Sequence, residues 1–428
     1  MRTNKMLSGK RSLNLPMNFN QRLECNTCKE NIDCRIGMSN RDVQPISFAC
    51  PTCGERISIE LNLGKGFKYK GAKSIHFEGP FTNENPFIDL HLDFPVKFGE
   101  YKMGHTPFMM ALARIGHENF HIHNTRLNAL NLLYPKLDDF KRILRLYSKN
   151  TKLFGELCES KFGEKLRSEK PQDLNLALYC VIAKVFFPFS MPDENADSVK
   201  LHMKAIHDAL SKTKDGFNAY MSEIFDTGFL QNMQKDCLDI YPQILAGELA
   251  FRPALFLDFD DNYDKEFVAF RVSAHDFQTY KDLYKDISEV MSRQLVLVAG
   301  LNNIIHRGDF DKFKDVGKTT PKSLHEYADL PYGFKTSHLD DCWYTISAGS
   351  VNNQLRNSIA HVKVEYNEVT QLITYFPKKE GIKQEKAEEI YFLDFMRNIL
   401  ISYREMHRMH QLIKCLFNYY YLIHQKAA

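Results

Sequence analysis

Strict alternation of apolar and polar positions marks the early part of the chain. Ile57-Ser58-Ile59-Glu60-Leu61-Asn62-Leu63 and Ile88-Asp89-Leu90-His91-Leu92-Asp93-Phe94 send every second side chain to one face, as half-buried strands do, and this character runs from Ile46 to about Tyr101. Gly64-Lys65-Gly66 and Gly79-Pro80 read as turns between the strands. From Thr106 the period lengthens. Leu130, Leu133, Leu137, Phe140, Ile143, Leu144 and Tyr147 make a helical stripe, which Phe154 and Leu157 extend past a polar break. Helical character holds to about Arg271 and resumes near Tyr280, where Ile287, Val290, Met291, Leu295, Val298 and Leu301 predict a helix reaching Ile305 with Asn302, Asn303 and His306 at its solvated end. The stretch 309–335, rich in Lys, Asp, Gly and Pro, predicts a long surface loop whose lysines suit phosphate contact. Tyr344, Ala348, Val351, Leu355, Ile359 and Val362 predict a helix over 343–362. It stops at His361, because Val362, Val364 and Tyr366 then alternate into a turn at Asn367-Glu368 and a second strand at Leu372–Phe376. A last helix spans 388–424. Its run Leu416–Leu422 is apolar almost all round and predicts a partner surface.

Four of the ten cysteines fall as Cys25-x2-Cys28 and Cys50-x2-Cys53, the paired-knuckle spacing of a tetrahedral zinc site. Four thiolates leave no open coordination position, so the predicted Zn2+ is structural, with Gly54 giving the turn whose N–H groups face the sulfurs and Cys34 as a substitute ligand. Cys158, Cys180, Cys237, Cys342 and Cys415 stand alone in helical sequence and read as small buried hydrophobes. Two further patterns have bland explanations. His117-Glu118-Asn119-Phe120-His121 fits the H-E-x-x-H of zinc peptidases, but Gly116 and Asn119 weaken that helix, no third ligand follows, and 16 histidines make a chance match easy. Leu257-Asp258-Phe259-Asp260-Asp261 resembles a phosphatase D-x-D, yet a polar hairpin loop between Leu255-Phe256-Leu257 and Phe267-Val268-Ala269-Phe270 explains it.

Arg356-Asn357-Ser358-Ile359-Ala360-His361 carries the chemistry. A histidine moves protons near neutral pH and an arginine holds an anionic phosphate, the groups needed to cut RNA without a metal. Asn357 and His361 are i and i+4 on one helical face, whereas Arg356 and His361 lie about 140° apart, a gap arginine's length must close. An R-N-x-x-x-H motif at a helix end, followed by a hairpin and another long helix, resembles the HEPN family of α-helical ribonucleases over roughly the last third of the chain. The resemblance implies that Arg356 and His361 are the catalytic pair and Asn357 the polar residue that accompanies them. It implies 2′-hydroxyl attack with a cyclic phosphate product and no catalytic cofactor. It further implies a composite site in a homodimer, and a role as a toxin or antiviral effector with an antitoxin or regulatory partner. Where some members carry a tyrosine two positions after the histidine, this chain has Lys363, so silencing through that tyrosine is not expected.

The 428 residues suggest a mainly α multidomain protein: a basic arm (1–18), a zinc ribbon (19–64), a β segment (65–105), a helical middle domain (106–271) and a HEPN-like helical bundle with a β-hairpin (272–428). Net charge is only +3, so contact with RNA must come from local patches. Arg2, Lys5, Lys10, Arg11 and Arg22 against Glu24 read as a solvated tail or an electrostatic RNA arm. The absence of an 18-residue apolar run or a signal-peptide core predicts a cytoplasmic location and no membrane partner. The reading from another class is an adaptor that binds nucleic acid without cutting it.

Overall fold

The computed structural model describes residues 18–190, 194–266, 268–274, 276–377 and 387–424. All of the expected basic arm except Asn18 lies outside them, while Arg22 pairs with Asp33 at 2.7 Å inside a sheet.

Seven strands open the chain: β1 (Asn18–Cys25), β2 (Asn31–Gly37), β3 (Val43–Ala49), β4 (Arg56–Asn62), β5 (Gly66–Lys70), β6 (Ala72–Ile75) and β7 (Phe87–Leu90). They form two sheets, ordered β6-β1-β2-β7, with β7 parallel to β2, and β3-β4-β5. Ile57, Ile59 and Leu61 of β4 point inward as the alternation requires, the first two in one core with Leu23, Ile32, Ile36 and Leu90. The sheets ignore the division at residue 64. β5 continues β4 through the predicted Gly64–Gly66 turn, and β6 and β7 flank the two strands nearest the cysteines. The second alternating run keeps strand geometry only to Leu90. His91 and Asp93, polar positions that alternation places outside, are 1% and 3% exposed because the helical body covers that end.

That body comprises β8 (Val96–Lys97), α1 (Pro107–Leu133), α2 (Leu137–Tyr147), α3 (Thr151–Phe162), α4 (Pro171–Phe186), α5 (Glu194–Lys212), α6 (Lys214–Asp226), α7 (Phe229–Ala246), α8 (Glu248–Phe256), β9 (Phe270–Arg271) and α9 (Phe277–Arg307). After these come α10 (Leu324–Ala328), α11 (Tyr332–Ser337), α12 (Asn353–Ala360), β10 (Val364–Asn367), β11 (Leu372–Tyr375), β12 (Glu388–Tyr391) and α13 (Phe392–Tyr419), which ends in a π turn over Tyr420–His424. Among the described residues no helix is long and apolar enough to cross a membrane. One hydrophobic core runs from Phe94 to Tyr419, so 106–271 and 272–428 share an interior. Helices α9 and α13 lie at its centre and pack on each other.

Several local expectations change, including the 309–335 loop, which holds α10 and the start of α11. Residues 343–352 form no helix: Gly349 takes φ +78°, Ala348 is exposed, and Tyr344 is buried from a loop against α13, where it donates to Glu405. Residues 388–391 are strand, pairing with β11 to complete a three-stranded sheet before the helix starts. Residues 257–265 make no hairpin. Asp258 is clamped by Arg126 and Arg404, and Phe270 and Arg271 pair with β8 instead. The Leu416–Leu422 run finds much of its cover within the chain, with Tyr420 stacked on Phe225 of α6 at 3.6 Å and Tyr419 edge-on to Phe217, leaving Leu422 exposed.

Two polar junctions hold the β strands to the helices. In the first, the fully buried Arg252 of α8 donates to Asp93 at 2.7 Å and to Glu248 at 2.6 Å, and Arg41 reaches Glu248 from the β side. The second is the segment 270–274. Ser273 accepts the Ser47 N–H on its carbonyl and the His91 N–H on its hydroxyl, while Val272 exchanges two hydrogen bonds of 2.8 Å with the Gln371 side chain.

Burial holds His123, His202 and His407 neutral, lowering each to about 4. The unfolded chain takes up these protons near pH 6.5 but the folded protein does not until about pH 4, so stability is complete above 6.5 and falls as pH drops through that window. Each group costs about 1.4 kcal/mol at pH 5.5. Urea denaturation should therefore show a loss of roughly 4 kcal/mol between pH 7.5 and 5.5 from these three, and a flat profile would contradict them.

Candidate functional site

Two knuckles of matching geometry build the cysteine cluster. Cys25 ends β1 and Cys50 follows β3; in each case the chain turns so that the residue after the second cysteine enters the left-handed region, Lys29 at φ +64° and Gly54 at φ +76°. The N–H groups of Lys29 and Gly54 return to the carbonyls of Cys25 and Cys50, at 3.1 and 2.9 Å. The sulfurs then meet crosswise, Cys25 with Cys53 and Cys28 with Cys50, both at 3.7 Å, and all four lie within 4.8 Å of one another. An ion with bonds of about 2.3 Å to four tetrahedral sulfurs requires separations near 3.8 Å, so the set fits a closed thiolate site. N–H groups of Thr27 and Cys28 face the Cys25 sulfur, and those of Thr52 and Cys53 face Cys50.

Cys34 takes no part. It is fully buried in β2 and burial pushes its thiol up. Cys158, Cys237 and Cys415 are buried, and Cys180 and Cys342 half-buried. His117, Glu118 and His121 are exposed on α1 beyond a kink at Gly116, φ +74°, and among the described residues the four-cysteine group is the one cluster able to hold a metal.

The second candidate is the end of α12. Asn352 caps its start, accepting the N–H groups of Gln354 and Leu355 at 3.0 Å, and Leu355 and Ile359 anchor it in the core. His361 is the C-cap, as the change of period predicts. The helix closes with the Lys363 N–H on the Ser358 carbonyl at 2.8 Å, which forces Val362 to φ +57°. A β-branched residue at the left-handed position is unusual, and Val362 is 84% exposed. Arg356 turns toward α9, pairs with Glu289 and donates to the Asn357 side chain at 3.1 Å, while its Nε is buried without a partner. Asn357 and His361 are exposed, and the His361 ring makes no hydrogen bond among the described residues. Arg356 and Asn357 are thus brought together. His361 stands a turn away on the solvent side.

His306 does not join them. It lies seventeen residues past Glu289 on α9, roughly 25 Å along the axis, against the Asp341 carbonyl. Asn302 and Asn303 are buried, donating to the carbonyls of Asp340 and Phe310, and do not line a solvated helix end. Lys335 is also buried, donating to the Ser292 carbonyl at 3.0 Å, and burial lowers it to about 8. The sequence placed Lys335 in a surface loop suited to phosphate contact, and neither its burial nor the role of Glu289 was visible there, since each acts on a residue at least 43 positions away.

No protein-family model, no curated protein and no solved structure matches the chain.

Left-handed backbone costs a side-chain-bearing residue about 1–2 kcal/mol, partly offset by glycine's greater chain entropy. Val362→Gly should therefore raise stability, by up to about 1 kcal/mol; a lower unfolding midpoint would show that the exposed valine is held by contacts outside the chain.

Proposed function

We propose that the chain is a metal-independent endoribonuclease of the HEPN kind, acting as a homodimer, with a structural Zn2+ on Cys25, Cys28, Cys50 and Cys53. The observation that carries this reading is the open helix end, where Arg356 touches Asn357 and His361, its ring unpartnered among the described residues, closes the same short helix through its backbone N–H. RNA supplies its own nucleophile. One imidazole takes the 2′-hydroxyl proton as the oxygen bonds to phosphorus, the bond to the 5′-oxygen breaks, and a second imidazole protonates that leaving oxygen. The products are a 2′,3′-cyclic phosphate and a 5′-hydroxyl. Each chain offers a single histidine at this place, so a second copy supplies the other, as an isologous pairing allows. Arg356 stabilises charge on the phosphate after exchanging its Glu289 partner, an ion pair near the surface and weak enough to give way. The toxin or antiviral role, a neutralising partner and the cytoplasmic setting rest on the resemblance and on the thiols.

A second reading, an adaptor that binds nucleic acid without cutting, is favoured by that same Glu289, which neutralises the guanidinium at rest.

Incubation with end-labelled RNA separates the two. Cleavage should yield cyclic-phosphate ends and survive chelators, and His361→Ala should lose at least about 10²-fold in rate. Glu289→Gln should raise kcat/KM by roughly 1.4- to 5-fold, the worth of an exposed ion pair. Retention of RNA with no cyclic-phosphate product would leave the adaptor.

For the metal, elemental analysis should find one zinc per chain, and Cys50→Ser should release it and unfold β1–β5 while the helices persist, since binding energy of about 10–16 kcal/mol doubles as folding energy. Four freely reactive thiols and no zinc in the native protein would remove the site.

A further inference from the structure

A groove of about 760 Å³ lies between α2, α7 and the end of α13, away from the cysteines. Its rim is cationic. Lys141, Arg145 and Lys149 recur every fourth residue on one side, Lys235 faces them from α7, and Asp239 is the one acidic residue in the lining. Lys141 has a distant partner in Asp138 at 3.8 Å, but Arg145, Lys149 and Lys235 form no ion pair among the described residues. These cations outnumber Asp239, which lies one turn from Lys235 and offsets part of its charge, and so raise a local positive potential that the net charge of the chain conceals.

Its inner surface is built for flat, polar groups. The half-buried Tyr147 and Tyr421 supply rings, Tyr421 backed by the buried Phe417 in a parallel contact of 6.1 Å, and the π turn at Tyr420–His424 brings Tyr421 to the groove. Gln234, 4% exposed, donates to Asn175 at 3.1 Å, and the Asn175 Nδ2 beneath it is buried without a partner. Cations for phosphates, rings for bases and an amide floor together match a single strand of nucleic acid, whose bases stack on aromatic faces.

The helix that walls the groove also touches the support of the candidate site. The α7 wall is tied to α9 by Asp236 and Arg293, and Arg293 lies one turn beyond Glu289, the partner of Arg356. Residues i and i+4 share a helix face, so α7 and α12 flank the same exposed side of α9. We infer that this groove binds single-stranded RNA and leads it toward Arg356 and His361. The destination rests on the proposed ribonuclease reading; the binding does not.

Fluorescence anisotropy with a labelled 2′-O-methyl oligouridylate, which cannot be cut by its own 2′-oxygen, tests the binding. The triple variant Arg145→Gln, Lys149→Gln, Lys235→Gln changes only exposed side chains and should bind at least about tenfold more weakly. The slope of log K against log salt should become shallower by about 2, at about 0.7 for each phosphate no longer neutralised. Unchanged affinity and slope would overturn the groove. So would displacement by poly-glutamate as effective as by unlabelled RNA, which points to an acidic protein. Cleavage by the triple variant at the wild-type rate, with binding intact, removes the groove but spares the catalytic reading. Binding lost in the variant while the wild type cuts nothing does the reverse.

Discussion

A guanidinium with no exposed surface, that of Arg252, joins the two halves of the molecule. It faces Asp93 from the end of the β strands and Glu248 one turn away on its own helix, and Arg41 completes a set of two positive and two negative groups. Asn40 and Asn131 fill remaining directions of the fork. Such a quartet tolerates burial only when balanced, because removing one member leaves a charge without its opposite at a cost of about 3–5 kcal/mol. The orientation of the cysteine module on the helices therefore depends on this electrostatic pairing together with the backbone junction at 270–274, while the apolar cores on either side remain separate.

Much of the local structure was legible. The period-2 run at Ile57–Leu63, the turn at Gly64–Gly66, the cysteine spacing, the hairpin after His361 and the stop at His361 all depend on neighbours in sequence, and all appear. What failed depended on distant partners. Tyr344, Ala348 and Val351 have helical spacing, but Glu405 and Ser402 of α13 bind that segment as a loop through the Ser347 N–H and the Ser350 carbonyl. Glu388–Tyr391 has the apolar content of the helix that follows, yet a free edge on β11 captures it as strand. Asp258 looked like a loop residue because nothing nearby in the chain announced Arg126 and Arg404. At the candidate site the same limit applies: the motif is local, whereas the carboxylate that occupies Arg356 at rest comes from α9.

Helix α9 emerges as a common support. It carries Glu289 against the motif helix and Arg293 against α7, and it receives the buried Lys335 at Ser292, so three contacts with no sequence proximity share one rigid reference. A helix of 31 residues with 20 of them buried suits this role, since its position is fixed by packing along its length.

The segment 270–274 has a consequence for how the protein is made. Ser273 closes hydrogen bonds to Ser47 and His91, and Phe270 and Arg271 pair with Lys97 and Val96. Ser47 and Ser273 are 226 positions apart (273 − 47). A ribosome adding about 5–20 residues per second takes roughly 10–45 s to cover that interval. The cysteine knuckles leave the ribosome early and close locally, but the sheet beside them cannot satisfy its last backbone groups until most of the helices have been synthesised. During that interval β3 presents an unfinished edge, and a thiolate cluster that pins its neighbouring turns would keep the nascent strands from pairing with other chains.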